Sequence, residues 1–157
     1  MPALAVVDTN VVVSGLLTAD GASPVAVVLD GMLTRRFGFL LSTDLVAEYR
    51  AVLLRPRVRA RHGLAPAEVE QLLVALALEA VWRDPPTVHA AGALGAAEGG
   101  SPAAPEPGDA HLWALLTHVP GSLLVTGDAL LVAKAHPAAA VVTPRAFVDA
   151  LARHDRA

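Results

Sequence analysis

Leu4-Ala5-Val6-Val7-Asp8-Thr9-Asn10 is a short apolar run that ends in three polar residues, and Leu123-Leu124-Val125-Thr126-Gly127-Asp128 has the same form. Short, continuous runs of valine and leucine are typical of strands buried on both faces. We interpret the polar residues after the first run as a turn, and those after the second as a turn into a short helix. Because carboxyl ends of parallel strands share one edge of a sheet, Asp8 and Asp128 are expected on the same side.

The remaining chain alternates further short strands with helices. Two more strands are predicted at Phe39–Leu41 and at Ala140–Val142. Capping residues or prolines predict helix starts at Ser23-Pro24, Ser42 or Thr43, Pro66, Asp109 and Thr143-Pro144. Pro56 should end the helix of about Asp44 to Leu54, and the next helix, continuing to Val81, should be mostly buried. This alternation predicts an α/β fold with a parallel sheet between two helical layers.

Size and composition favour one domain over residues 1–157, because 54% of the chain is hydrophobic and the length suits a single core. Residues 85–108 are rich in Ala, Gly and Pro and predict a loop with at most a short strand near Thr87 to His89. The chain has no cysteine, no signal-peptide pattern and no apolar run of about 18 residues, so we expect a cytoplasmic protein that does not cross a membrane.

Four acidic residues stand where chemistry could occur, and each also has an ordinary structural interpretation. Asp8 and Asp128 follow strands, where an aspartate often caps the next element. Glu48 lies at the edge of its helix's apolar stripe, where spacing alone favours a solvated glutamate with Arg50 and Arg55 nearby over a group that reaches a cleft. Asp109 starts a helix yet falls on the same side as Leu112, so it fits either a cap or an inward-facing group. Spacing alone does not show that the four converge.

Convergence would have a definite chemical consequence. Carboxylates crowded into one crevice repel each other, which raises their pKa values and destabilises the fold unless a cation is present. Magnesium and manganese prefer oxygen ligands and can activate a water for attack on a phosphodiester. A metal-dependent hydrolase site is therefore the functional interpretation of these acids.

Three motifs in order resemble the PIN-domain family, in particular its bacterial VapC-like branch of toxin components from toxin–antitoxin pairs. They are Val7-Asp8-Thr9-Asn10-Val11-Val12-Val13-Ser14, Ser42-Thr43-Asp44-Leu45-Val46-Ala47-Glu48-Tyr49 and Val125-Thr126-Gly127-Asp128. The resemblance extends nearly end to end and implies a three-layer α/β/α sandwich. It implies catalytic and metal-binding roles for Asp8, Glu48, Asp109 and Asp128, with hydrogen-bond support from Thr9, Asn10, Ser14 and Thr126.

The implied activity is Mg²⁺- or Mn²⁺-dependent hydrolysis of single-stranded RNA, and the implied partner is an antitoxin whose tail blocks the pocket. The resemblance leaves a homodimer open. The chain departs from it at two places, because Gly108 and Leu130 stand near positions where relatives commonly carry additional acids. Since the stretch before Asp109 has little pattern, Glu106 is the alternative for the third acid.

One segment concentrates positive charge in a chain whose formal net charge is −3. Arg50 precedes it, and the arginines expected to contact RNA or an acidic partner segment are Arg55, Arg57, Arg59 and Arg61. A solvated helix end and loop explains them equally well. The histidines are interpreted as surface or core residues, with His111 set apart by its closeness to Asp109.

Two other functions remain under consideration. A haloacid-dehalogenase-like phosphatase also places an aspartate after its first strand, but it requires acids where this chain has Asn10 and Val132. A PIN-like module that binds RNA or a partner with weak or no catalysis would fit the two missing acids. Metal-dependent cleavage of RNA distinguishes the nuclease from both.

Overall fold

The structure, a computed structural model, describes residues 3–86, 107–134, 136 and 139–157. Its strands are β1 (Ala5–Val7), β2 (Leu40–Leu41), β3 (Val81–Trp82), β4 (Leu123–Val125) and β5 (Ala140–Val142). Its α-helices are α1 (Thr9–Leu17), α2 (Pro24–Leu33), α3 (Thr43–Leu53), α4 (Pro56–His62), α5 (Pro66–Glu79), α6 (Ala110–His118), α7 (Ala129–Lys134) and α8 (Pro144–Asp155). A 3₁₀ turn, Pro107–Asp109, leads into α6. The predicted α/β class is confirmed.

The strands that the structure describes pair in parallel throughout. β1 pairs with β4, which pairs with β5, and β2 pairs with β3. A parallel bridge between Ala5 and Phe39 joins the two groups, so the strands follow the order β3-β2-β1-β4-β5. All three residues of β1 are fully buried although successive side chains point to opposite faces, which requires helical cover on both sides of the sheet. This is the predicted α/β/α arrangement.

The register between β1 and β4 positions the polar residues that follow them. Val7 lies opposite Val125, and the Asp8 amide donates to the Val125 carbonyl over 2.9 Å. Asp8 and Thr126 therefore leave neighbouring strands at the same level of the sheet. The shared edge that was predicted for the two strand ends is confirmed.

Helix starts follow the predicted capping chemistry. The hydroxyls of Ser23, Ser42 and Thr143 each accept a bond from the backbone amide three residues later, over 3.4, 3.1 and 3.1 Å. In α2 and α8 a proline occupies the first turn, where its missing N–H has no helical partner to lose. These local rules predicted the helix starts because they need only a few adjacent residues.

Two helices were not predicted. The residues interpreted as a polar turn after β1 instead begin α1, whose Val11 and Val12 are buried in the core. Burial outweighs the weak helix propensity of three successive valines. Pro56 does end α3, but it also begins α4, in which the predicted loop arginines lie. Proline suits both positions because it disfavours the preceding helix and fits the first turn of the next.

The end of α5 also differs from the prediction. The helix ends at Glu79, and Val81 with Trp82 forms β3 against β2. The expectation that α5 is mostly buried is wrong on one side, since Val74 and Leu78 are 57% and 73% exposed. A short apolar run does not itself distinguish a last helical turn from a strand.

Part of the predicted loop over 85–108 lies outside the described residues, including the short strand considered near Thr87 to His89 and the alternative acid Glu106. Among the helices that the structure describes, none combines the length and the apolar character needed to cross a membrane.

Candidate active site

A cleft of about 630 Å³ opens at the carboxyl edge of the sheet, and all four predicted acids line it. They reach it from four different elements: Asp8 after β1, Glu48 on α3, Asp109 before α6 and Asp128 after β4. The rest of the lining consists of Thr9, Asn10, Val13, Ser14, Leu17, Thr18, Val25, Val52, Arg55 and Arg61. Acids that are far apart in the sequence thus face one space.

Asp8 is the most buried acid of the cleft, with 7% of its surface exposed. Its Oδ2 accepts a hydrogen bond from Thr126 Oγ1 over 2.8 Å and another from Asn10 Nδ2 over 3.1 Å. Thr126 itself is fully buried. These two donors hold the carboxylate in one orientation, which agrees with the supporting role implied for both.

The same two residues also fix the turn that carries Asp128. Thr126 Oγ1 accepts from the Asp128 amide over 3.0 Å, and Asn10 Oδ1 accepts from the Gly127 amide over 3.1 Å. Asp128 Oδ1 in turn accepts from the Leu130 amide over 2.9 Å and so caps the first turn of α7. Asp128 therefore combines a capping role with a position in the cleft, because only one of its oxygens has to face the helix.

Glu48 is held by two groups that approach the same oxygen. Thr9 Oγ1 donates to Glu48 Oε2 over 2.8 Å, and His111 Nε2 lies 3.0 Å from that oxygen. His111 Nδ1 is buried and has no hydrogen-bond partner within the described part of the chain. The sequence noted His111 only for its closeness to Asp109, and the contact with Glu48 comes from the packing of α6 beside α3.

Tyr49 is a further residue of the site that sequence reasoning assigned only to the apolar stripe of α3. Its side chain is completely buried, and its hydroxyl donates to the Val7 carbonyl at the end of β1. Burial raises the pKa of Tyr49 well above its ordinary value, and the nearby charges of Asp8 and Glu48 raise it further. The bond ties α3 to the strand that carries Asp8.

The surroundings of Asp8 in the cleft shift its pKa. Burial raises the pKa of Asp8 above its ordinary value, and the charge of Glu48 acts in the same direction. The Thr126 hydrogen bond, the Thr9 backbone and His111 lower it without cancelling the effect of burial. A positive charge in the cleft would favour the ionised carboxylate.

Asp109 and Ser14 complete the set of predicted residues. Asp109 is half-buried at the end of the 3₁₀ turn and faces the cleft, as its helical projection indicated. Ser14 lines the cleft on α1, whereas the hydrogen bonds to the acids come from Thr9, Asn10 and Thr126.

The four predicted arginines separate into two pairs. Arg55 and Arg61 line the acidic cleft. Arg57 is exposed elsewhere on α4, and Arg59 lines a separate shallow depression near Glu68. A seven-residue helix between Pro56 and His62 presents its side chains in several directions, so a cluster in the sequence does not become one patch in space.

Comparison with protein families finds a match to the PIN domain over residues 5–130, a range that contains all four acids. The chain belongs to the PIN domain family. PIN domains are typically nucleases that use divalent metals, so the comparison supports a nuclease at this coarse level. Comparison with curated proteins and with solved structures gave no match.

The four acids of the cleft suit a hard divalent cation, since each offers carboxylate oxygens as metal ligands. Within the described residues, however, no three His, Asp or Glu side chains form a group that could hold a metal ion. The side chains are directed instead by their own hydrogen bonds, as for Glu48 with Thr9 and His111. Mg²⁺ commonly uses only one or two protein carboxylates and completes its shell with water and phosphate oxygens.

Membership of the PIN family also bears on the phosphatase alternative. The matched range covers Asn10, one of the two positions where a haloacid-dehalogenase-like enzyme would need an acid, and ends two residues before the other, Val132. Asn10 instead bonds to Asp8 and to the Gly127 backbone. The amide therefore has a defined structural role in this site.

Proposed function

We propose that this PIN domain is a Mg²⁺- or Mn²⁺-dependent endoribonuclease that hydrolyses phosphodiesters of single-stranded RNA. The observation that carries the proposal is the meeting of Asp8, Glu48, Asp109 and Asp128 in one cleft, with Asp8 buried and oriented by donors. A carboxylate kept partly out of water at this position is well suited to a cation and poorly suited to a structural role alone.

The four acids would hold the metal, which when bound supplies an activated water and stabilises charge on the phosphodiester. Thr126 and Asn10 keep Asp8 directed at the cleft, and Thr9 with His111 keeps Glu48 there. Preorganised side chains of this kind reduce the reorganisation that the reaction requires. Arg55 and Arg61 line the same cleft and offer positive charge to the substrate backbone.

We further propose that the protein is the toxin of a toxin–antitoxin pair and acts in the cytoplasm. The resemblance of its three motifs to bacterial toxin components supports this role. Its partner would be a cognate antitoxin whose tail enters the acidic and basic cleft and competes with RNA. A homodimer is compatible with the proposal but is not required by it.

Cleavage of labelled single-stranded RNA by purified protein tests the enzyme assignment. We expect cleavage with Mn²⁺ or Mg²⁺, no cleavage in EDTA, and loss of activity in Asp8→Asn and Asp128→Asn. Matched single-stranded DNA and duplex RNA establish substrate class. Equal cleavage by wild type and both variants would show that the activity does not arise at these acids.

A PIN-like binding module is the second candidate, and a specific observation favours it. Gly108 and Leu130 stand where relatives commonly have acids, and no three-residue metal group is present among the described residues. Metal-independent RNA binding without cleavage at any tested Mn²⁺ concentration would favour this module over the nuclease. Growth arrest on inducing the gene in cells tests the toxin role separately, and relief of that arrest by a small reading frame found beside the gene would identify a cognate antitoxin.

A further inference from the structure

The cleft changes character along its length. Glu48 and Val52 lie one turn apart on α3, and Arg55 follows the end of that helix as the N-cap of α4; all three line the cleft. On α1, Thr9 and Asn10 are followed by a face containing Val13, Ser14, Leu17 and Thr18. Moving away from the carboxyl edge of the sheet, the lining therefore passes from acidic through apolar to basic.

The two charged ends are separated by a distance relevant to a nucleic acid strand. From Glu48 the chain follows α3 to its end at Leu53 and reaches Arg55 two residues later, an advance on the order of 10 Å at the helical rise. Between them lie the half-buried side chains of Val13, Leu17 and Val52, with Val25 contributed by α2. One phosphate cannot occupy both ends, but two phosphates with a nucleoside between them can.

Arg55 and Arg61, the two arginines of the cleft, differ from several other surface arginines, which pair with carboxylates. Arg36 pairs with Asp155 over 2.8 Å, Arg50 with Glu70 over 2.7 Å, and Arg35 with Glu79. Within the described residues, Arg55 and Arg61 form no ion pair, although four carboxylates line the same cleft. Their exposed guanidinium groups are thus available to an anion.

We infer that Arg55 and Arg61 form a binding site for a phosphate adjacent to the one that is cleaved, with the intervening nucleoside over the apolar middle of the cleft. The inference rests on the proposed nuclease function, which assigns the scissile phosphate to the acidic end. A local positive site is needed because the formal net charge of −3 and the acidic cleft give the protein no overall electrostatic attraction for RNA. Guanidinium groups match phosphate oxygens and supply that attraction locally.

A binding experiment with a matched control tests the site. Arg55→Gln/Arg61→Gln removes the two cleft charges, and Arg57→Gln/Arg59→Gln removes two charges from the same short segment away from the cleft. A labelled single-stranded oligouridylate is titrated by fluorescence anisotropy in Ca²⁺ at several salt concentrations. We expect the cleft variant to bind roughly tenfold more weakly at low salt. The slope of log K against log salt should become shallower by about 1.4, while the control changes little.

Substrate length provides a second measurement. A dinucleoside monophosphate has one phosphodiester and cannot reach both ends, whereas a trinucleotide or longer strand can. In wild type, kcat/KM should rise on the order of tenfold with the longer strand, whereas Arg55→Gln/Arg61→Gln should lose most of that gain and Arg57→Gln/Arg59→Gln should keep it.

Equal weakening by the two double variants, or an undiminished gain with length in the cleft variant, would overturn the inference. Unchanged RNA binding combined with lost binding of an acidic peptide would also overturn it, because the arginines would then serve a protein partner. If wild type cleaves no RNA at all, the nuclease proposal fails, and the comparison of the two variants in the binding assay still decides whether the phosphate site exists.

Discussion

Replacing Thr126 with valine should destabilise the protein strongly for so small a change. The Thr126 hydroxyl donates to Asp8 Oδ2 over 2.8 Å and accepts from the Asp128 amide over 3.0 Å, and the side chain is fully buried. Valine has nearly the same shape but provides neither bond. A hydrogen bond to a charged group contributes about 1.5–3 kcal/mol and one between neutral groups about 0.5–1.5 kcal/mol, so the expected loss is about 2–4.5 kcal/mol.

Thermal and urea unfolding followed by circular dichroism measure this loss. For a domain of this size the melting temperature should fall by roughly 5–15 °C. Thr126→Ser is the matched control, because it keeps the hydroxyl and loses only a buried methyl group, at about 1 kcal/mol. The valine variant should therefore be clearly less stable than the serine variant at neutral pH.

The difference between the two variants should also depend on pH. The Thr126 bond lowers the pKa of Asp8 relative to what burial alone would set, so its contribution is present while Asp8 is ionised. That contribution is lost as the pH falls through the folded-state pKa, and the variants should approach each other below about pH 4. A valine variant as stable as the serine variant at pH 7 would refute the role of Thr126 as the link between the two aspartates.

Three further predictions concern the same region and its support. Because burial raises the pKa of Asp8, folding favours the protonated carboxyl, and this contribution to stability is lost as the pH rises through the folded-state pKa. Metal-free Asp8→Asn should therefore melt at a higher temperature than wild type at pH 7 and lose this advantage below about pH 4. A lower melting temperature of Asp8→Asn at pH 7 would contradict this assignment. Mn²⁺ at a hundredfold excess over its Kd should stabilise wild type by about 2.7 kcal/mol, and Asp8→Asn should lose most of the resulting rise in melting temperature. Equal rises in both proteins would show that Asp8 does not bind the metal. A Cβ on Gly15 would lie 2.6 Å from the Val25 carbonyl oxygen, so Gly15→Ala should push α1 away from α2. Urea unfolding should show a loss of about 1–3 kcal/mol in the free energy of unfolding. Gly21→Ala is the control and should show no such loss, because the space around Gly21 is open.

The sequence alone predicted the features that depend on neighbours in the chain. The apolar run before Asp8 indicated a buried strand because short runs of this kind are typical of strands covered on both faces. Ser23, Ser42 and Thr143 indicated helix starts because capping needs only the next few amides. The order of the motifs indicated the PIN family, which the family comparison confirms.

Where local preference competes with packing, the sequence was insufficient. The valines of α1 have strand-like propensity but lie in a helix because the core buries Val11 and Val12. Residues 81 and 82 continue the apolar pattern of α5 but pair with β2 instead. Each of these outcomes depends on a surface supplied by another part of the chain.

Only the tertiary structure decided which groups meet in the cleft. Two strands ending in an aspartate predicted a shared edge, but the contact of His111 with Glu48 and the bond from Tyr49 to Val7 depend on how α3 and α6 pack. The separation of Arg55 and Arg61 from the other arginines of their segment follows from the place of Arg55 before α4 and from the directions in which that helix points the other three side chains. A chain determines its local conformation through adjacent residues, whereas distances between remote side chains are set by the packing of whole elements.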